Sequence, residues 1–201
     1  MLWIVKLGGS LYDAPQLREW ASALTACWAG QVVVVPGGGP YADQVREAQR
    51  LWQFDDGIAH RMALLAMDQF GTQLCGLAQG LVPVTQPADM AAQLQAGQVP
   101  VWLPAQFLTG HAAIPESWDI TSDSIALWLA SAMSADGLLL VKSAAVAPGV
   151  HAVQTLRDRN VVDAAFGRLP GGVEQVCIAH RDDAGLLRAG TWPDWPARIR
   201  L

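Results

Sequence analysis

Short, continuous runs of apolar residues alternate along the chain with longer segments in which apolar residues recur at helical spacing. Runs that are apolar throughout are typical of strands buried on both faces of a parallel sheet. They predict strands at residues 2–7, 31–35, 81–84, 99–103, 137–141, 173–179 and 186–191. The helical spacing predicts helices at residues 16–28, 41–53, 58–81, 88–95 and 124–133. Because strands alternate with helices, we predict an α/β fold, a three-layer αβα sandwich with a mostly parallel central sheet.

The composition suits one domain that associates with copies of itself. A chain of 201 residues can bury a sizeable core, so we expect a single domain over residues 1–201. Apolar residues make up 52% and charged residues only 15%, whereas charged residues average about 25% in soluble domains. We therefore expect part of the surface to be covered in a homodimer or a higher homo-oligomer. The long helix predicted at residues 58–81 has a broad apolar surface and is the expected interface.

Charge and cysteine content exclude several classes of partner. The net charge is −5 and there is no basic run, which argues against binding to a nucleic-acid backbone. We see neither a signal peptide nor a run of about 18 apolar residues, so we expect no membrane partner. The three cysteines, Cys27, Cys75 and Cys177, are far apart. An odd number of separated cysteines fits reduced thiols, and we expect a cytoplasmic protein.

Two glycine clusters, Gly8-Gly9 and Gly37–Gly39, each follow a predicted buried strand and precede helical sequence. The carboxyl ends of parallel strands face a common crevice. Glycines there let backbone N–H groups approach an anion, and the next helix adds the positive end of its dipole. A tight turn would explain either cluster alone. Together, on neighbouring strands, they predict a crevice that binds phosphate groups.

Two common nucleotide motifs fit this sequence less well. The P-loop pattern G-x-x-x-x-G-K-[ST] does not occur. Residues 37–42 match the dinucleotide pattern G-x-G-x-x-A, and Asp55 and Asp56 lie at the distance expected for its acidic residue. However, the intervening sequence is helical and leaves no room for the strand that should carry that residue. We therefore disfavour a dinucleotide site.

The chain has only two lysines, Lys6 and Lys142, and both lie at the ends of apolar strands. A lysine beside a phosphate-binding loop can neutralise a phosphoryl group during transfer, a reaction that depends on positioning and charge. The alternative for a single lysine is a side chain that reaches from the strand end to solvent. Asp123, at the start of a predicted helix, could orient such a lysine or bind magnesium through water. The same helix start could be capped by Asp119, Thr121 or Ser122.

Four sequence blocks together resemble the amino acid kinase family. They are VKLGGS at residues 5–10, VVPGGG at 34–39, TSDSIA at 121–126 and LLLVK at 138–142. The blocks occur in family order over residues 1 to about 143, and Gly190-Thr191 resembles a Gly-Thr pair near the end of family members. The resemblance implies a phosphotransferase that uses ATP and Mg²⁺.

The resemblance also implies roles for individual residues. Lys6 would neutralise the transferring phosphoryl group, Asp123 would organise the lysines, and Lys142 stands where uridylate kinases carry a lysine. Contacts with the ATP phosphates fall to Gly8, Gly9 and Ser10. The acceptor site would be lined by Gly37, Gly38 and Gly39.

The sequence departs from the family pattern after the fourth block. Ser143-Ala144 stands in the region where an Asp-Gly pair usually follows, and no lysine lies near Gly171-Gly172, where relatives carry a late catalytic lysine. These departures make Lys142 the second lysine available. They also leave the residues that contact adenine unassigned. The histidines His111, His151 and His180 show no metal-ligand spacing, and we predict no protein metal site.

Three segments, at residues 36–46, 59–67 and 118–126, resemble the short kinases of methanofuran-type cofactor synthesis. Those enzymes convert an aminomethylfuranylmethyl phosphate to its diphosphate. A small phosphorylated acceptor needs cations, and Arg46, His60 and Arg61 are the candidates, although each could be an ordinary helix residue. A kinase for a nucleoside monophosphate or an amino-acid carboxylate remains an alternative. A nucleotide-binding sensor without catalysis is another.

Overall fold

The structure is a computed structural model, and it describes residues 1–188 and 192–201. The strands are β1 (Trp3–Leu7), β2 (Val32–Pro36), β3 (Leu81–Val84), β4 (Val99–Trp102), β5 (Gly137–Lys142), β6 (Gly149–Ala152), β7 (Gln175–His180) and β8 (Ala197–Arg200). The helices are α1 (Gln16–Trp28), α2 (Gly39–Trp52), α3 (Asp56–Cys75), α4 (Pro87–Gln95), α5 (Ala105–Leu108), α6 (Ser122–Ala132) and α7 (Val153–Asp158). Short 3₁₀ helices occupy Gly9–Leu11 and Arg181–Leu186.

The strands form one eight-stranded sheet with the order β3-β4-β2-β1-β5-β7-β8-β6. Neighbouring strands from β3 to β7 run parallel. The last two strands in the order run the other way, since β7 pairs antiparallel with β8 while β8 and β6 are parallel to each other. The predicted mostly parallel sheet is confirmed.

Helices cover both faces of the sheet. Side chains alternate between the faces of a strand. In β1, Ile4 therefore packs in one core with residues of α6, while Val5 packs in a second core with Trp20 and Leu24 of α1. These two cores are the two sides of the predicted three-layer αβα sandwich, which the structure confirms.

Two predicted elements end elsewhere in the structure. The helix expected at residues 58–81 is α3, which begins at Asp56 and ends at Cys75. Asp55 starts it, because its carboxylate accepts a hydrogen bond of 2.8 Å from the backbone N–H of Ile58. The strand expected at residues 186–191 is wrong where the structure describes it, since Leu186 closes a 3₁₀ helix. The predicted Gly190-Thr191 block lies outside the described residues.

The carboxyl-terminal tail packs on the core. Trp195 is buried, and the ring of Trp192 stacks on Trp3 with centroids 4.6 Å apart and meets Trp28 edge-on at 4.8 Å. No helix in the described part of the chain is both long enough and apolar enough to cross a membrane. The three cysteines are free thiols, and the cytoplasmic location inferred from them stays a prediction.

Candidate active site

Lys6 lies inside the sheet, because β1 is flanked by β2 and β5. In register it stands opposite Val35 of β2 and Leu140 of β5. Lys6 is two residues after Ile4 in β1, so both side chains leave the sheet on the same face. That face is covered by α6. The lysine is only 5% exposed. A charge buried to this degree requires a partner.

The partner of Lys6 is Asp123, which also holds Lys142. Lys142 lies two residues beyond Leu140 on β5 and therefore on the same face as Lys6. Asp123 lies in the first turn of α6. Its Oδ1 is 2.9 Å from Lys6 Nζ, and its Oδ2 is 2.5 Å from Lys142 Nζ. The structure thus brings together the three residues for which the sequence predicts a catalytic role.

Two lysines against one carboxylate give this cluster an excess of positive charge. Burial would raise the pKa of Asp123, but the ammonium groups of Lys142 and then Lys6 outweigh it and lower that pKa to about 2. Burial lowers the pKa of Lys142 to about 8, although the Asp123 carboxylate opposes the shift. Both carboxylate oxygens of Asp123 face lysines, so it is placed to hold ammonium groups. A buried, fixed positive charge is suited to a phosphoryl group.

Asp163, which the sequence did not single out, anchors the start of α6. Its Oδ2 accepts hydrogen bonds from the backbone N–H groups of Thr121 and Ser124, both at 3.0 Å, and from the Thr121 hydroxyl at 2.9 Å. Its Oδ1 accepts a bond of 2.5 Å from the Ser124 hydroxyl. Burial raises the pKa of Asp163, and the charge of Asp123 adds to that shift. The helix is therefore capped from a distant segment, and the capping expected from residues 119, 121 or 122 is wrong.

The two glycine loops lie directly against each other. A Cβ on Gly9 would stand 2.3 Å from the nitrogen of Gly39, and a Cβ on Gly37 would stand 2.3 Å from the nitrogen of Gly9. Gly39 also has a φ of +54°, which favours glycine. The close approach of the two backbones therefore requires these glycines. Their predicted phosphate contacts remain predictions.

Backbone donors in the same loops are left available for an anion. Within the described residues, no acceptor is paired with the N–H groups of Gly9, Ser10, Gly38 and Gly39. Gly38 and Gly39 lie at the start of the 14-residue helix α2, where the helix dipole is positive. The N–H of Gly8 instead donates to Val141, and that of Gly37 donates to Leu7. Only part of each predicted loop is thus free to bind phosphate through its backbone.

A cavity of about 490 Å³ opens beside these loops, and we call it the acceptor cavity because the sequence predicts an acceptor site at Gly37–Gly39. Its lining includes Gly9, Ser10, Gly38 and Gly39 of the glycine loops and the apolar residues Ala63, Leu64, Met67, Ile120 and Ile125. Asp13 and Asp43 line it as well. Gly8 and Gly37, predicted to contact ATP and the acceptor respectively, do not line it.

A second cavity, of about 590 Å³, adjoins the first. Asp123 and Lys142 line it together with side chains from the segment between residues 154 and 168. Three residues line both cavities: Arg46, Trp118 and Thr121. These three residues mark the boundary between the two cavities. The lysine–aspartate cluster reaches the second cavity through Asp123 and Lys142, whereas Lys6 lines neither cavity.

Arg46 lies at this boundary. Its guanidinium is 2.8 Å from the carboxylate of Asp43 and 4.5 Å above the ring of Trp118, a cation–π geometry. Trp118 is fixed in turn by a hydrogen bond of 2.6 Å from its Nε1 to Gln49 of α2. The arginine side chain is 51% exposed, so it can reach a phosphate in either cavity.

His60 also lines the acceptor cavity, but as a buried residue with 4% exposure. Burial lowers its pKa, although the Ser117 carbonyl and the Glu116 charge oppose the shift. The ring is therefore neutral near pH 7. The sequence predicts His60 as a cation that binds phosphate, whereas this environment favours an uncharged hydrogen-bonding group.

A model of the amino acid kinase family matches residues 1–146. The chain belongs to the amino acid kinase family. It is accordingly a phosphotransferase, and the predicted family and enzyme class are confirmed. All four predicted sequence blocks fall inside the matched residues. Asp163 and most of the second cavity's lining lie beyond them.

Two characterised kinases are similar to this chain over most of its length. The [5-(aminomethyl)furan-3-yl]methyl phosphate kinase of Methanocaldococcus jannaschii is 27% identical over 185 residues, which cover 91% of this chain and 76% of that protein. The acetylglutamate kinase of Parasynechococcus marenigrum is 25% identical, and the match covers 98% of this chain and 76% of that protein.

Solved structures of kinases share the fold. The uridylate kinase of Archaeoglobus fulgidus superimposes with a TM-score of 0.69 at 15% identity, over 100% of both chains. The UMP kinase of Ureaplasma parvum gives a TM-score of 0.69 at 12% identity, again over 100% of both chains. At these identities the likeness establishes the fold and does not extend to the substrate.

Proposed function

We propose that this kinase transfers the γ-phosphoryl group of ATP to a small phosphate monoester, an aminomethylfuranylmethyl phosphate, and forms the diphosphate. The M. jannaschii relative, 27% identical to this chain, is named for that acceptor. The sequence segments at residues 36–46, 59–67 and 118–126 resemble the same short kinases. The acceptor cavity supports the proposal because glycines with unpaired backbone N–H groups and apolar side chains both line it.

The observation that carries the proposal is the contact of both Lys6 and Lys142 with Asp123, in a cluster that reaches the second cavity through Lys142 and Asp123. Phosphoryl transfer passes through a transition state rich in negative charge, and catalysis consists mainly of positioning and neutralisation. Asp123 holds both ammonium groups at fixed positions, so little reorganisation is needed when the charge develops. Lys6 and Lys142 are therefore proposed as the catalytic cations.

The proposed reaction needs no general base from the protein. A phosphate monoester has a second pKa of about 6 and is largely dianionic at neutral pH. One of its oxygens attacks the γ-phosphorus of ATP, the bond from that phosphorus to the β,γ-bridging oxygen breaks, and ADP leaves with the electron pair. The residues of this chain orient the two phosphates and neutralise their charge.

The donor set of the site fits ATP and Mg²⁺. The unpaired N–H groups of Gly9 and Ser10 can hold phosphate oxygens. Within the described residues no three His, Cys, Asp or Glu side chains are grouped as a metal site. Mg²⁺ takes many of its ligands from substrate phosphates and water, so such a grouping is not required. When bound, the ion would add positive charge at the phosphates.

The test is turnover with a panel of acceptors, measured as ADP release in the presence of Mg²⁺. We expect activity with aminomethylfuranylmethyl phosphate and little with uridylate, glutamate or aspartate. Lys6→Ala should lower kcat by roughly 10³-fold. Arg50→Ala is the matched control, since this exposed arginine of α2 lines neither cavity.

Three results would contradict the proposal in different ways. Wild-type turnover by Lys6→Ala would show that Lys6 has no catalytic role. If the protein preferred uridylate or an amino acid as acceptor, it would be a kinase of another substrate class. Tight ATP binding in calorimetry without phosphorylation of any acceptor would favour a nucleotide-binding sensor.

We also propose that a second copy of the chain covers the apolar surface formed by α3 and the end of α2. Large apolar side chains are exposed there: Leu51 at 69%, Trp52 at 75%, Ile58 at 39% and Leu65 at 55%. Such exposure is typical of an interface. Solution scattering should give the mass of a dimer at micromolar concentration, and Trp52→Glu should reduce it. A monomeric mass for the wild type would contradict the proposal.

A further inference from the structure

Arg168 is a cation of the second cavity that has no side-chain partner among the described residues. It is exposed and lines this cavity together with Lys142 and Asp123. It does not line the acceptor cavity. Within the described part of the chain, its guanidinium forms neither an ion pair nor a hydrogen bond. The side chain is therefore available to a ligand that enters the second cavity.

Two other cations that line the second cavity are already paired. Lys142 contacts Asp123, and Arg46 contacts Asp43. A new anion must share each of these cations with a carboxylate. Arg168 has no such competitor within the described residues, so it can give its full charge to a ligand.

A third cation, Arg157, fixes the turn that carries Arg168. Its Nε and Nη2 both donate to the carbonyl of Phe166, and its Nη1 donates to Gln154 at 3.2 Å. Phe166 is buried, and the backbone N–H of Arg168 donates to the carbonyl of Ala165 at 2.8 Å. The donors of Arg157 are thus used within the protein, whereas Arg168 starts from a fixed backbone and keeps its guanidinium unpaired.

Three carboxylates also line the second cavity, and each has partners of its own. Asp123 contacts two lysines. Asp158 accepts a hydrogen bond of 2.7 Å from Gln154. Asp163 caps α6, and burial raises its pKa, so its ionised form is disfavoured. Because none of the three is paired with Arg168, an anionic ligand is the partner that this cavity favours.

The proposed reaction identifies that anion. In phosphoryl transfer the attacking and leaving oxygens lie roughly in line through the phosphorus, so acceptor and nucleotide need adjoining spaces. The two cavities adjoin at Arg46, Trp118 and Thr121. Gly9 and Ser10, proposed to hold ATP phosphate oxygens, line the acceptor cavity and would therefore contact the γ-phosphate. The rest of the phosphate chain would then lie in the second cavity.

We infer that Arg168 binds the phosphates that remain on ADP after transfer. This inference rests on the proposed function and deepens it by naming a residue that binds the nucleotide. The planar fork of donors on a guanidinium matches the oxygens of a phosphate group. The ligand class is a nucleoside diphosphate or triphosphate.

The binding test compares Arg168→Gln with Arg159→Gln. Arg159 is also an exposed arginine of the segment after β5, but it lines neither cavity, so its replacement changes the net charge equally. Calorimetry with Mg²⁺ and without acceptor should give a Kd for ATP and for ADP that is roughly 10-fold higher in Arg168→Gln, the loss of one charge-assisted hydrogen bond. Arg159→Gln should bind both nucleotides as the wild type does. Arg168→Lys keeps the charge and should keep part of the affinity.

Turnover and stability separate nucleotide binding from a structural role. In Arg168→Gln, KM for ATP should rise roughly 10-fold. KM for aminomethylfuranylmethyl phosphate should not change, because Arg168 does not line the acceptor cavity. Without ligand, Tm should equal that of the wild type, since an exposed side chain without a partner has no contact to lose.

Each other outcome overturns a defined statement. An unchanged Kd for both nucleotides in Arg168→Gln would show that this residue does not bind them, and a loss for ATP alone would place it at the transferred phosphate. A lower Tm with equal rises in both KM values would make the residue structural. A higher KM for the acceptor alone would put the acceptor in the second cavity. If the wild type binds ATP but phosphorylates no phosphate monoester, and Arg168→Gln weakens that binding, the proposed acceptor is wrong and the inference on Arg168 holds.

Discussion

The two lysines that meet at Asp123 come from regions that are held in different ways. Lys6 precedes the glycine loops, residues 8–11 and 37–39, whose backbones are in direct contact. Lys142 precedes the segment after β5, residues 143–168, which meets the first glycine loop and the start of α6 through side-chain hydrogen bonds. Ser143 Oγ, for example, donates to Ser10 Oγ at 2.9 Å.

The two regions of the site differ in how well they tolerate substitution. Contact between two backbones leaves no room for an added atom and cannot be adjusted by a side-chain rotation. Hydrogen bonds between side chains can be lost one at a time, with graded effects. We therefore expect all-or-none responses in the glycine loops and partial responses in the segment after β5.

The largest expected effect is that of Gly9→Ala. The new Cβ would lie 2.3 Å from the Gly39 nitrogen, so the two loops would have to separate. In Gly8→Ala, the matched control, the nearest atom is the Val141 oxygen at 3.0 Å, a smaller conflict. We expect Gly9→Ala to lose at least about 3 kcal/mol in the free energy of unfolding, together with activity, and Gly8→Ala to lose less. Urea denaturation measures both, and equal stability of the two variants would contradict the packing argument.

The second effect concerns the protonation of Lys142. Burial lowers its pKa to about 8, so kcat/KM should fall as the pH rises through that value and the ammonium group loses its proton. A guanidinium keeps its charge to above about pH 12. Lys142→Arg should therefore move the alkaline decline to higher pH, even if the best rate is roughly tenfold lower.

The contribution of Lys142 to the free energy of unfolding changes with pH in the opposite direction from its contribution to activity. The pKa of Lys142 is about 8 in the folded chain, whereas an unfolded lysine has a pKa of about 10.4. Between these values the unfolded chain binds more protons, so the contribution of Lys142 to the free energy of unfolding increases with pH. Activity should decline in the range where this contribution rises. A pH profile that is unchanged in Lys142→Arg would show that another group causes the decline.

The region around Lys6 can be predicted from sequence because its determinants are local. Apolar runs mark β1 and β2, and glycines mark the turns that follow. Period-two alternation and parallel pairing then place Lys6 and Lys142 on one face of the sheet, where α6 brings Asp123. The distances of 2.9 and 2.5 Å from the carboxylate to the two lysines agree with that derivation. The catalytic roles themselves remain predictions.

The segment after β5 and the carboxyl-terminal strands are harder to predict, because their determinants are distant. β6 and β8 have four residues each and pair with each other across more than forty positions. β6 is largely exposed and lacks the continuous apolar run that marks a buried strand. Asp163 caps α6 from 39 residues beyond Ser124, and no local pattern indicates such a contact. The same limit applies to α3, whose end near Gly76 the apolar spacing does not mark.

The smallest expected effect is that of Asp163, which connects the segment after β5 to the helix that carries Asp123. Asp163→Ala removes the acceptor for the two backbone N–H groups at the start of α6. We expect a loss of about 1–2 kcal/mol in the free energy of unfolding, as for other helix caps. A several-fold lower kcat should accompany it, because Asp123 shifts relative to the lysines. Asp163→Asn keeps one amide oxygen as an acceptor and should be closer to the wild type in both measurements.

The two Asp163 variants distinguish a helix-capping role of this residue from an electrostatic role of its carboxylate. Burial and the neighbouring Asp123 charge raise the pKa of Asp163, so its ionised form is disfavoured in the folded chain. If the residue acts as a cap, the neutral Asn should replace it, and kcat should follow stability across the variants. If Asn and Ala reduce kcat equally while differing in stability, the negative charge of Asp163 acts on Lys142 directly. The segment after β5 would then contribute to the electrostatics of the site as well as to its geometry.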